Sequence, residues 1–172
     1  IWNFTKVLGK LGNIDLKELK LFFKNKFFPD AKLNYAENIL KKNNNDPAII
    51  FRSEYGYKSV LSWKELNSKV KKVSNWMRSA GIKKGDRIAA YVPNIPEAVV
   101  AYIATSALGG IWSSCSPDFG TDGVIDRFSQ ISPKILFIGD KYFYNGKKIS
   151  ILDRLDKILE KIPSIKKVII IP

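Results

Sequence analysis

Histidine is absent from the 172 residues, and cysteine and methionine occur once each. Without His, no Ser-His-Asp or Cys-His nucleophile system can be assembled, and no His-ligated zinc. The lone Cys115 cannot close an intramolecular disulfide, which excludes a disulfide-stapled secreted domain. Acids are scarce beside bases: 16 Asp and Glu against 29 Lys and Arg give a net charge of +13. Arginine is scarce too, limited to Arg52, Arg78, Arg87, Arg127 and Arg154. Arginine is the preferred fork for bases and phosphates, so a lysine-dominated surplus argues against a nucleic-acid partner. No run is long and apolar enough for a bilayer span. The stretch Ala98 to Cys115 lacks charge but contains Thr, three Ser and a Gly pair, and reads as a buried helix followed by a buried strand. Residues 2–6 do not read as a signal peptide. We therefore expect a soluble, cytoplasmic protein without a membrane partner.

Apolar residues are plentiful. They make up 45% of the chain, 12% being aromatic, which excludes a disordered polypeptide and supports a sizeable core. Their spacing changes along the sequence. Leu16, Leu19, Phe22 and Phe23 predict a helix over 15–26, closed by Phe27-Phe28-Pro29-Asp30. A short helix is expected over 33–42. Residues 48–51 and 57–61 read as two strands of a hairpin about Glu54-Tyr55-Gly56. Ser62-Trp63-Lys64-Glu65 is a capping box that opens a helix through Ala80, with the stripe Leu66, Val70, Val73 and Met77 and a stop at Gly81.

From Arg87 onward strands and helices alternate. Strands are expected at 87–92, 111–114, 135–138 and 168–171. Between them come a helix from Pro96 to Leu108, one capped by Thr121 or Asp122, and one capped by Ser150. This alternation predicts an α/β fold with a parallel sheet built of βαβ units. We divide the chain into an N-terminal helical segment, 1–46, and an α/β portion, 47–172. Ligands of such sheets bind at the carboxyl ends of strands, here Val92-Pro93-Asn94, Ser113 to Pro117 and Gly139-Asp140. The chain opens on Ile and stops on the strand-like run ending at Pro172, so we expect it to be a portion of a longer protein.

Common phosphate-binding signatures are missing. There is no G-x-G-x-x-G, and the Gly139…Gly146-Lys147-Lys148 spacing does not make a Walker loop. Asp118, Asp122 and Asp126 invite a metal reading, but a cap and a solvated face explain them as well. Cys115, with no base at hand, reads as a small buried hydrophobe. Trp112 reads as core, while Ser113 and Ser114 are small polar residues at a strand end that would let a ligand approach the backbone. Lys147 and Lys148 follow a Tyr-Asn-Gly turn from which an ammonium could reach an anion.

Several motifs together resemble the adenylate-forming enzymes. Leu61-Ser62-Trp63-Lys64-Glu65-Leu66 is similar to their first core motif. Ala107-Leu108-Gly109-Gly110, followed by a strand and Ser116-Pro117, is similar to the second. Within that superfamily, residues 28–38, Trp112 to Gly120, Asp126-Arg127-Phe128 and Tyr144-Asn145-Gly146-Lys147 resemble the acetoacetyl-CoA synthetase family. An acetyl-CoA or propionyl-CoA synthetase-type ligase is the alternative within the superfamily. The resemblance implies part of the large N-terminal domain of such an enzyme, with β-hairpin and helices ahead of the parallel sheet. It implies ATP, magnesium and CoA as cofactors and acetoacetate or a similar short acid as substrate. Trp112, Ser113 and Ser114 would lie against CoA, and Lys147 would contact a CoA phosphate. Tyr144 stands where the related enzymes carry a second Arg. The ATP loop and the acylation lysine have no match here, so no catalytic residue is assigned. A basic, non-enzymatic nucleic-acid-binding module that uses the +7 charge of residues 47–92 is the rival class.

Overall fold

The computed structural model describes residues 1–13 and 28–172. The helix expected over 15–26 lies outside them. The chain begins with a small antiparallel pair, β1 (Gly9–Lys10) with β2 (Lys32–Leu33). Nothing local in the sequence announces this pair, because its partners are more than twenty residues apart. Helix α1 (Tyr35–Ile39) is shorter than the 33–42 expectation. Leu33 belongs to β2, and Asn34 caps the helix by accepting from the N–H groups of Ala36 and Glu37. The Asn34 amide also donates to the Ala107 carbonyl at 3.0 Å, tying this segment to a later helix.

Strands β3 (Pro47–Arg52) and β4 (Lys58–Ser62) form the expected hairpin. Its inner face, with Ile49, packs on the core, and its outer face leaves Ile50 and Val60 exposed opposite each other. Helix α2 (Trp63–Ser79) follows directly. The Ser62 hydroxyl accepts from the Glu65 N–H at 3.2 Å, and the Glu65 carboxylate accepts from the Ser62 N–H at 2.8 Å. At the other end Gly81 takes φ +86°. Its N–H and that of Ile82 close back on Arg78 and Met77 in a Schellman stop. Ser62→Ala removes one side of the box and is expected to lower stability by ~1 kcal/mol, read as a urea-midpoint shift at constant slope.

The centre is a four-stranded parallel sheet of β5 (Arg87–Tyr91), β6 (Ile111–Cys115), β7 (Ile135–Gly139) and a last strand, Lys167–Ile171. That last strand is β10, since a hairpin of β8 (Lys141–Tyr144) and β9 (Lys147–Ser150) intervenes. The spatial order is β10-β7-β5-β6. The crossover from β5 to β6 carries α3 (Pro96–Ala107), and those to β7 and β10 run the opposite way with α4 (Thr121–Ser129) and α5 (Leu155–Lys161). Right-handed crossovers in opposite directions must place their helices on opposite faces. The two cores show this arrangement. Ile88, Ala90 and Phe137 pack with α2 and α3 on one face, while Ala89, Tyr91, Leu136 and Ile138 pack with α4 and α5 on the other. The inner strands β5 and β7 are buried almost throughout, whereas β6 and β10 form the edges.

Two expected caps are corrected. Helix α4 starts after Gly120 with no side-chain cap, and Thr121 and Asp122 are its first helical residues. Ser150 ends β9 instead of capping a helix. The Ile151 N–H is held by the Asp140 carbonyl, so the chain passes through a 3-10 turn at Leu152–Arg154 before α5 begins.

Asp86 locks the entry to β5. Its carboxylate accepts from the Lys83 N–H at 2.9 Å and pairs with Lys134 at 2.8 Å, which joins the starts of β5 and β7. The Lys134 contact, then the Lys83 N–H, holds its carboxyl below the usual carboxylate range. A carboxyl acidified by folding stabilises above its unfolded value and loses that contribution as pH falls through its folded value. Asp86→Asn is therefore expected to flatten the acid limb of stability below about pH 4. Urea midpoints compared at neutral and acid pH check this, and an acid limb as steep as wild type would contradict it.

Candidate functional site

The strand order creates one switch point. After β5 the chain leaves toward β6, and after β7 it leaves toward β10, so a crevice opens between the carboxyl ends of β5 and β7. A cleft of about 770 Å³ occupies this place. Pro93, Asn94, Gly139 and Asp140 form its floor, and Tyr55 of the β3–β4 turn and Phe143 of β8 wall it. The two rings meet with centroids 4.2 Å apart. A Cβ on Gly139 would sit 3.3 Å from both Pro93 and Ile151, so the backbone here is closely surrounded.

Beside the crevice lies the loop Ser116–Gly120 that follows β6. It is pinned from below. The buried Tyr91 hydroxyl donates to the Phe119 carbonyl at 2.6 Å, and Arg154 Nη1 reaches the Pro117 and Phe119 carbonyls at 3.1 and 3.2 Å. Arg154 also donates to the Tyr91 hydroxyl. Arg127 stacks over the Phe119 ring at 4.4 Å. Burial pushes the Tyr91 phenol up, with Arg154 opposing it, so the hydroxyl stays a donor. Cys115 is 5% exposed beside this loop, and burial raises its thiol above the ordinary value, which disfavours a nucleophilic thiolate. Asp122 pairs with Lys157 at 2.7 Å, and Asp118 accepts from the Ser116 hydroxyl at 2.9 Å.

Trp112, Ser113 and Ser114 all lie on the edge strand β6. The Trp112 ring faces the α3 side, between Tyr102 and Phe137 at centroid distances of 6.2 and 6.1 Å. Ser113 is half-buried beside Ala89, and Ser114 is exposed. Lys147 opens β9 and is exposed, in register with Tyr144. No hydrogen bond or ion pair among the described residues joins Lys147 to β6. The hairpin that carries it was missed by reading only its turn. Asn145 and Gly146 both take positive φ, +48° and +73°. An Asn-Gly pair between two short runs is the strongest hairpin signal in a sequence, and it was available here.

Residues 36–172 match the model of a family described as AMP-binding enzyme. The acetoacetyl-coenzyme A synthetase of Rhizobium meliloti (strain 1021) is 45% identical over 148 residues, covering 86% of this chain and 23% of that protein. The acetoacetyl-CoA synthetase of Macaca fascicularis is 42% identical over 148 residues, covering 85% of this chain and 22% of that protein. Among solved structures, the acetoacetyl-CoA synthetase from Streptomyces lividans superposes with a TM-score of 0.89 at 35% identity, over 99% of this chain and 27% of that one. The chain thus spans about a quarter of the length of the relatives it matches.

Proposed function

The chain belongs to the AMP-binding enzyme family, and from that membership we propose that it is part of an ATP-dependent acid–CoA ligase acting on acetoacetate. The carboxylate of the acid would attack the α-phosphate of ATP, forming an acyl-adenylate as pyrophosphate leaves. The CoA thiol would then attack the acyl carbon, forming the thioester as AMP leaves with the bonding electron pair. The observation that carries this reading is the 45% identity to an acetoacetyl-coenzyme A synthetase over most of the chain.

Within this reading the described residues serve CoA. Ser113 and Ser114 offer a wall of small side chains on an edge strand, Trp112 backs it, and Lys147 supplies an accessible ammonium for a CoA phosphate. The net charge of +13 suits a reaction whose substrates, acetoacetate, ATP and CoA, are all anions, because it raises their local concentration. Magnesium for the nucleotide belongs to the same proposal. Among the described residues no group of three or more Cys, Asp or Glu converges to hold a metal, so none is assigned to it.

The intact gene product carrying these residues tests the reading. Acetoacetate should drive exchange of label between pyrophosphate and ATP, and CoA should then be consumed as AMP appears. Faster exchange with acetate or propionate would replace the substrate assignment, and no exchange with any short acid would overturn the ligase.

A further inference from the structure

Helix α2 carries Lys64, Lys69, Lys71, Lys72 and Arg78 against a single acid, Glu65, whose carboxylate is occupied by the Ser62 cap. Lys64, Lys71 and Arg78 are each seven residues apart. That spacing is close to two helical turns, so the three cations form one stripe with a repeat of ~10.5 Å. They border a groove of about 610 Å³ between α2 and the end of α1. Leu40, Val70 and Ala107 give the groove an apolar floor, and among the described residues its lining contains neither a carboxylate nor an aromatic ring. Among the described residues none of the three cations forms an ion pair. Asn75 accepts from Arg78 Nη1 at 3.0 Å and holds the guanidinium along the stripe.

We infer that this groove docks an acidic helix of a partner protein whose carboxylates repeat every seven residues. The charge of the lining selects an anion. Its repeat selects the partner's geometry, because a helix laid along α2 with acids at i, i+7 and i+14 presents them at the same ~10.5 Å interval. The apolar floor gives such a helix a place for small apolar side chains between its acids. Single-stranded nucleic acid would want aromatic platforms for its bases, and the described residues of this lining supply none. A concave face does not enter a DNA groove. A second copy of this chain would bring its own +13 charge to the contact.

The test uses two synthetic peptides of about 21 residues with identical Ala, Leu and Glu content, labelled for fluorescence anisotropy. One carries Glu at heptad spacing on a single face, and the other has the same Glu residues spread around the helix. The protein should bind the heptad peptide about ten-fold more tightly, with affinity falling between about 50 and 300 mM salt. The triple variant Lys64→Glu, Lys71→Glu, Arg78→Glu should lose about ten-fold in affinity, while the charge-matched Lys32→Glu, Lys58→Glu, Lys167→Glu control should stay near wild type. Thermal melts report whether both fold. Should the triple reversal not fold, Lys71→Gln alone is compared with Lys58→Gln. Equal binding of the two peptides, equal losses in the matched variants, or tighter binding to an oligonucleotide of equal charge would each overturn the inference.

Discussion

If the proposed ligase reading holds, Lys147→Glu in the intact gene product is expected to raise the KM for CoA about 30-fold and to leave acetoacetate-dependent ATP–pyrophosphate exchange unchanged. Lys147 is exposed, so its attraction for a phosphate is that of a surface pair, at most ~1 kcal/mol. Reversing the charge removes that attraction and adds repulsion of similar size. Together these amount to ~2 kcal/mol, or about 30-fold. The effect should shrink as salt rises, because the pair is open to solvent. Lys148→Glu is the decisive companion. It makes the same change of net charge one residue on, and neighbouring residues of a strand face opposite sides. Lys147 is in register with Tyr144 and Lys148 with Phe143, so the hairpin separates the two ammonium groups. A local contact predicts a large effect at Lys147 and a small one at Lys148. Equal effects would mean that only the general field matters, and the assignment of Lys147 would fail. A loss of pyrophosphate exchange in Lys147→Glu would place the residue in the first half-reaction instead.

How much of this was legible depends on where the information lies. The α/β fold was readable because β5 and β7, buried on both faces, must be continuous apolar runs, and because α2 and α3 stop at glycines in positive φ, Gly81 and Gly109. The order β10-β7-β5-β6 was not readable. Alternation says that the strands are parallel, but not that β7 passes back across β5, and the crevice at the switch point exists only because it does. The pair β1–β2 was hidden for the same reason, since its register is set by tertiary contact. Ser150 misled because a Ser before Ile151, Leu152 and Leu155 imitates a cap before an apolar stripe. What decides the matter is the hydrogen bond from Ile151 to Asp140 that completes the hairpin. The residues proposed for CoA came from motif resemblance. The structure adds that Trp112, Ser113 and Ser114 share one edge strand and that the loop beyond them is held by Tyr91 and Arg154. No local motif marks either residue: Tyr91 ends an apolar strand and Arg154 stands at the start of a helix.

Removing the Arg154 guanidinium is expected to cost ~2–3 kcal/mol of stability, because it strips hydrogen bonds from carbonyls beneath the Ser116–Gly120 loop. Arg154 donates to the Pro117 and Phe119 carbonyls and to the Tyr91 hydroxyl, and Tyr91 donates in turn to the Phe119 carbonyl. The loop backbone cannot move to find water without breaking both sets, since Pro117 and Tyr91 are buried. Arg154→Met keeps the apolar stem of the side chain and deletes the donors. Tyr91→Phe keeps the ring and deletes the hydroxyl, and should cost ~1–2 kcal/mol. The two residues share partners, so their effects should not add. The double variant is expected to lose less than the sum of the singles, with a coupling of ~1 kcal/mol or more in denaturant titrations. Additivity would mean that the two side chains act separately and that the loop is held by something else, such as Arg127 on Phe119. A second readout separates loop fixing from general stability. Amide exchange at Phe119, whose N–H donates to the Ser116 carbonyl at 3.1 Å, should accelerate in Arg154→Met under native conditions, while the centre of β7, Leu136 and Phe137, stays protected. Because the loop continues directly from the strand bearing Trp112, Ser113 and Ser114, the proposed CoA site predicts that the same variant raises the KM for CoA without changing pyrophosphate exchange. A rise shared by both half-reactions would instead assign the network to the whole domain.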